Sequence, residues 1–174
     1  MRLPQRLHAG GMGRVCLVVI ALSASATLRA QNSQASSLRG ITNLTVVVDS
    51  LAPAALELGV TDQIVLGDAE RLLRRGGVTL SGAAAGAQLS ITINAVEIQT
   101  DTRATRGVAY TVSVSIDQEA TLQRSGVTTR VTTWRHAGIG VAGVATANAT
   151  IRSQLAEYLE VFLAAYRTAN KAAG

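Results

Sequence analysis

The chain has 174 residues, a formal charge of +5 and a pI near 10.3, which taken whole describe a basic protein. Four of its sixteen basic residues, Arg2, Arg6, Arg14 and Arg29, precede a candidate export-signal cleavage point after Ala30, and the chain beyond that point carries twelve basic against eleven acidic residues. A near-neutral chain has no basic field to follow phosphates, so sequence-independent nucleic-acid binding is excluded as a main role. Cys16, both methionines and one of the two histidines also fall before residue 31. The remainder has no thiol and one imidazole, His136, which excludes cysteine nucleophiles, cysteinyl metal sites and covalently attached haem. No cofactor and no metal site is expected.

Residues 1–30 have the form of a secretory signal. Arginines come first, then an apolar run over 15–21 that continues weakly to Leu28, then Leu28-Arg29-Ala30 before Gln31. Ala24-Ser25-Ala26 offers an earlier cleavage point, and Met12 would begin a shorter leader of the same kind. The strongly apolar run falls far short of the ~20 residues of a spanning helix, so no stable membrane span is expected after cleavage. Cys16 stands at the start of the run rather than just after it, where a lipid anchor needs it. The expected location is periplasmic or secreted.

Residues 31–38 are small and polar, as in a flexible mature terminus, and 39–174 are expected to form one domain. The β-branched stretch around Leu44-Thr45-Val46-Val47-Val48 predicts a strand over 41–50. Thr61 can cap a helix whose Ile64, Val65, Ala69, Leu72 and Leu73 share a face, with Arg74-Arg75-Gly76-Gly77 closing it. Residues 78–80 predict a second strand, and Ser81-Gly82-Ala83-Ala84-Ala85-Gly86 a soft linker. A third strand over 89–99 alternates through Leu89, Ile91 and Ile93, then changes phase at Val96 and Ile98, as at a bulge.

The fourth strand is the clearest. Tyr110, Val112, Val114 and Ile116 alternate with Thr111, Ser113, Ser115 and Asp117, and the phase runs on through Ala120 and Leu122. A two-residue turn at Ser125-Gly126 would set Leu122 opposite Thr129 and Ala120 opposite Val131 on the core side. Thr121 would then face Arg130, Glu119 face Thr132 and Asp117 face Trp134 on the outer side. A closing helix over 147–170 gathers Ile151, Leu155, Tyr158, Leu159, Phe162, Leu163 and Tyr166 on one arc. The order β-α-β-β-β-β-α predicts an α+β two-layer sandwich, with both helices on one face of a mostly antiparallel sheet of about five strands. A helical crossover would set the first two strands parallel and adjacent.

Few patterns carry chemistry. Gly138-Ile139-Gly140-Val141-Ala142-Gly143 spells GxGxxG, but a dinucleotide site also needs a second parallel strand and an acid about 20 residues on, and here a helix runs to the end. The stretch predicts a flexible small-residue connection, with contact to a membrane or partner as the alternative. Asp117 and Glu119 share a strand face lined by Ser, Thr and Arg, as solvated carboxylates do, rather than flanking an apolar cleft. Arg103 and Arg106 flank a hairpin tip and are possible anion contacts. The register above gathers Trp134, His136, Asp117, Glu119 and Arg130 into one candidate binding patch, with His136 opposite Ser115. A bulge near Arg135 would instead turn Trp134 inward. Asn43-Leu44-Thr45 and Asn148-Ala149-Thr150 match glycosylation acceptors by coincidence of composition.

The exported chain has a helix ending Leu72-Leu73-Arg74-Arg75-Gly76-Gly77-Val78, a strand meander with Thr133-Trp134, and a closing Phe162-Leu163-Ala164-Ala165-Tyr166-Arg167-Thr168-Ala169-Asn170. It resembles uncharacterised small exported bacterial α+β proteins. The layout is also similar to the outer-membrane lipoprotein that partners the lipopolysaccharide-inserting barrel, and to the N-terminal domain of the periplasmic Tol-system propeller protein. The resemblance implies a role in envelope assembly or binding, with no catalytic residues to carry over; the lack of a lipobox departs from the lipoprotein. The reading is a non-catalytic periplasmic module that binds an envelope protein or envelope component through an open sheet face or an edge strand. Alternatives are a carrier of a small apolar or glycan ligand and a hydrolase using Asp117, Glu119 and His136.

Overall fold

Alternating β-branched segments form the strands and amphipathic segments the helices of the computed structural model, which describes residues 34–82, 86–99 and 105–171. The elements in chain order are β1 (Thr45–Leu51), α1 (Pro53–Glu57), α2 (Asp62–Arg75), β2 (Ala87–Gln99), β3 (Thr105–Thr121), β4 (Thr128–Ala142) and α3 (Val144–Lys171). The expected leader with its candidate cleavage points after Ala26 and Ala30, residues 31–33, the centre of the soft linker and Arg103 lie outside the described residues.

The strands form one sheet in the order β1-β2-β3-β4. β1 runs parallel to β2, and β2, β3 and β4 are successively antiparallel. The architecture is the expected α+β layering, with four strands rather than five. Residues 78–80 add only a parallel bridge from Leu80 to Leu44. Gly77, at φ 87°, turns the chain out of α2, and Val78 goes into the core, so too few residues remain to extend a ladder before Ser81-Gly82. The parallel partner of β1 is therefore β2, from Thr45↔Gln88 to Leu51↔Ile93.

Helix α2 starts where its cap residue predicts. The Thr61 hydroxyl accepts from the Ile64 amide at 3.4 Å. Val65, Ala69, Leu72 and Leu73 are buried, while Ile64 falls at the rim of the face and stays exposed. On α3 the expected arc is the core face: Ile151, Leu155, Leu159, Phe162 and Leu163 are fully buried. Tyr158 and Tyr166 lie at its edges, with their hydroxyls bonded to Gln154 Nε2 and the Ile41 carbonyl. The segment expected to be loose at the mature terminus is tied down from Gln34 on. Leu38 is fully buried, Asn170 Nδ2 donates to its carbonyl, and Asn170 Oδ1 accepts from the Gly40 amide.

In β2 the expected bulge at Val96 is absent. Leu89, Ile91, Ile93 and Ala95 keep one inward phase, and pairing with β3 is unbroken from Ala87↔Gln118 to Ile98↔Gly107. Val96 and Ile98 belong to the outward face; their apolar character, not a change of phase, broke the pattern.

Candidate functional site

The face of the sheet away from the helices carries the outward residues of β2, β3 and β4, and the register of β3 against β4 decides which these are. The connecting loop has four residues rather than two. The Leu122 amide donates to the Val127 carbonyl at 2.8 Å and the Gly126 amide, at φ 70°, donates back to Leu122 at 2.8 Å. Leu122 thus closes on Val127, and the strands pair Thr121↔Thr128, Ala120↔Thr129, Glu119↔Arg130, Gln118↔Val131 and Asp117↔Thr132. Leu122 and Ala120 do not reach the core, because the hairpin overhangs it.

Ile116 next pairs with Trp134, leaving Thr133 as an extra residue on β4. The bulge is held on three sides. Gln118 Nε2 donates to Thr133 Oγ1 at 2.6 Å, that hydroxyl bonds the Ile116 carbonyl at 3.3 Å, and Ser37 Oγ donates to the Thr133 carbonyl at 3.1 Å. The extra residue moves every later side chain of β4 to the other face.

The proposed patch is divided by this bulge. Trp134 is 5% exposed and packs edge-on against Phe162, with ring centroids 5.4 Å apart. His136 pairs with Val114 rather than Ser115, stacks on Trp134 at 6.3 Å and meets Tyr158 at 4.5 Å. Both rings lie on the helix-covered side, so the sheet separates His136 from the Asp117 and Glu119 carboxylates. Arg135 takes the position opposite Ser115 and donates to Ser113 Oγ at 3.0 Å.

Asp117 stays on the open face, where its two oxygens accept from Thr132 Oγ1 at 2.6 Å and Ser90 Oγ at 3.0 Å. Arg130 lies opposite Glu119 but donates to Gln88 Oε1 at 2.8 Å. Asp117 and Arg135, with Asp49 at the bulge of β1, help line a polar hollow of about 290 Å³. The Asp117 carboxylate is engaged there by neutral hydroxyls, and no imidazole faces it. Arg106 is exposed, at an irregularity between Ile98↔Gly107 and Gln99↔Thr105.

The opposite end of the same face is apolar. Val96 (63% exposed), Ala109 and Val141 (68%) form one cross-strand row, and Ile139 (75%) lies in the next. Val96, Ala109 and Ile139 border a shallow hollow of about 160 Å³, and Ile98 and Val144 extend the exposed set. The sequence pattern missed this end because the GxGxxG stretch read as a connection. It is strand: β4 continues through Ala142. Gly138 and Gly140 face inward, where a Cβ would collide with the Tyr158 hydroxyl and with the Tyr110 ring, so the two glycines admit two aromatic side chains against the backbone. Ile139 and Val141, between and after them, are forced outward.

On the helical side, Asp68 accepts from Arg71 at 2.6 Å and from Arg152 Nε at 2.7 Å. The Arg152 hydrogen bond holds its carboxyl below the usual range against the opposing effect of burial. Burial pushes the Tyr110 phenol up. Among the described residues no group of His, Cys, Asp and Glu side chains converges as metal ligands do, and no helix is long and apolar enough to cross a membrane.

No family model and no curated protein matches the chain. Similar solved structures include a PelC dodecamer from Paraburkholderia phytofirmans, 15% identical over 72% of this chain and 87% of that one, with a TM-score of 0.42. A minor lipoprotein from Acinetobacter baumannii is 14% identical over 71% and 90%, at a TM-score of 0.36. The rare lipoprotein B from Shewanella oneidensis is 12% identical over 72% and 96%, at 0.32. Each likeness is one of element layout at low identity, and two of these three structures are lipoproteins.

Proposed function

We propose that this chain is an exported, non-catalytic module of the cell envelope that binds an envelope protein or envelope component through the apolar end of its open sheet face. The observation that carries the reading is the exposure on one face of Val96 and Ile98 of β2 and of Ile139 and Val141 of β4, with Ala109 of the intervening β3 joining Val96 to Val141 in one row. Fully burying a side chain of this size is worth about 1.5–3 kcal/mol, so three or four give a real driving force before the costs of association are met. Contiguous apolar patches of this kind mark interaction sites. The polar end, with Arg130, Arg135, Glu119 and Asp117, supplies the hydrogen-bonding rim that orients a partner. The non-catalytic part is supported by the separation of His136 from Asp117 and Glu119 across the sheet. A carrier using Trp134 as a stacking platform is disfavoured by the burial of that ring.

The test is a photo-reactive residue placed at Ile139 and, as a control, at the exposed Glu160 of α3, in cells expressing the protein. Cross-links to a discrete envelope component from Ile139 alone support the reading, and equal yields from both positions refute it. Export is checked separately by intact mass: the periplasmic protein is expected to begin at Gln31 or Thr27, and an uncleaved cytosolic chain would remove that part.

A further inference from the structure

A second feature lies on the far side of the molecule from the open face. Helices α2 and α3 border a cleft of about 380 Å³ whose floor is apolar, with the buried Leu72, Leu155 and Leu159, and whose rim carries Arg71, Arg75, Arg152 and Asp68. The rim is unbalanced. Asp68 is shared by Arg71 at 2.6 Å and Arg152 at 2.7 Å, while Arg75 bonds only the Arg71 carbonyl, at 3.4 Å, and makes no ion pair among those described. Three guanidiniums against one carboxylate leave two positive charges at the mouth. Arg71 and Arg75 are one turn apart on the same helix, a spacing at which like charges repel. Glu70, the other acid on that helix stretch, is engaged with Arg74 at 3.6 Å.

We propose that this cleft binds the phosphate-monoester head of a single-chain amphiphile, with Arg71, Arg75 and Arg152 on the phosphate and the first methylenes of the tail on the leucine floor. A phosphate monoester carries about −1.5 to −2 at pH 7 and matches the surplus of two charges, which a carboxylate would half neutralise. Each guanidinium fork can engage two of the phosphate's tetrahedrally placed oxygens at once. Asp68 acts as a positioning residue that holds Arg71 and Arg152 toward the same mouth. The floor adds about 0.8 kcal/mol for each methylene removed from water, so head and tail contribute separately and can be separated by experiment.

The experiment is calorimetric titration of the exported protein with dodecyl phosphate below its micelle concentration, beside inorganic phosphate and dodecanol as the two halves. Dodecyl phosphate is expected to bind at least about tenfold more tightly than either half. Arg75→Gln, which removes a side chain with no ion pair in the fold, is expected to weaken it by about tenfold with an unchanged circular dichroism spectrum. Ala149→Phe, an exposed change that fills the mouth, is expected to do the same. Dodecanol binding as tightly as dodecyl phosphate would overturn the role of the arginines, and inorganic phosphate binding as tightly would overturn the role of the floor. Unchanged affinity in both variants would overturn the site.

Discussion

The two faces of the sheet are built from different residues and serve opposite uses. On the covered face, Tyr158 and Tyr110 press against Gly138 and Gly140, Trp134 packs edge-on against Phe162, and little is left exposed. On the open face, hydroxyls and arginines occupy one end and valine and isoleucine the other, with nothing among the described residues laid over them. The same strand, β4, serves both, and the residue that assigns its side chains is Thr133. A face is thus set by the register of the ladder as much as by the hydrophobicity of its residues. An apolar residue outside the core is informative when the register compels it to be there.

The contrast can be broken most severely from the covered side. Phe162→Ala and Trp134→Ala are each expected to cost ~3–5 kcal/mol in urea denaturation, as buried large-to-small changes. Val131→Asp, on the overhanging half-buried end, is expected to cost under about 1 kcal/mol, in the range of surface changes. The opposite ranking would mean that β4 is shifted by one residue and that the open face is really the core.

Gly138→Val is expected to cost ~1–3 kcal/mol through overpacking against Tyr158. Combined with Tyr158→Ala it should cost less than the two changes added, by ~0.5 kcal/mol or more. Strict additivity in a double-mutant cycle would show that the glycine does not exist to admit the ring.

Asp68→Asn is expected to cost up to about 1 kcal/mol at neutral pH. The Asp68 carboxyl is held below its unfolded value of about 4. Its contribution is therefore present above that value and lost as pH falls through the lower folded one. The difference between wild type and variant should close in acid; a gap independent of pH would mean that the ion pairs with Arg71 and Arg152 do not contribute.

The smallest effect on folding is expected on the open face. Ile139→Asp should change stability by no more than about 0.5 kcal/mol in either direction. A larger loss would show that the apolar end is covered within the monomer.

Local signals in the sequence sufficed for several elements because each rests on residues close in the chain. The Thr61 cap and the basic, glycine-terminated end of α2 lie within a few turns of one another. The period-2 run from Tyr110 to Ile116 and the apolar arc of α3 specify which side is buried, whatever covers it. Layer order and fold class are then determined, because a helix and a strand with one apolar side each must bury it against the other. The division between open face and core along β4 has a different origin. It depends on a four-residue loop where two residues would also have served, and on a bulge held by Gln118 and by Ser37, almost 100 positions away. One extra residue inverts every later side chain, so Trp134 became core and the half-buried His136 came to the helix side, while Ile139 and Val141 became surface. The polar triad of Arg71, Arg152 and Asp68 likewise joins two helices whose separation in sequence carries no pattern. Periodicity reports which residues share a side of a strand, and only the packed ladder decides which side faces the helices.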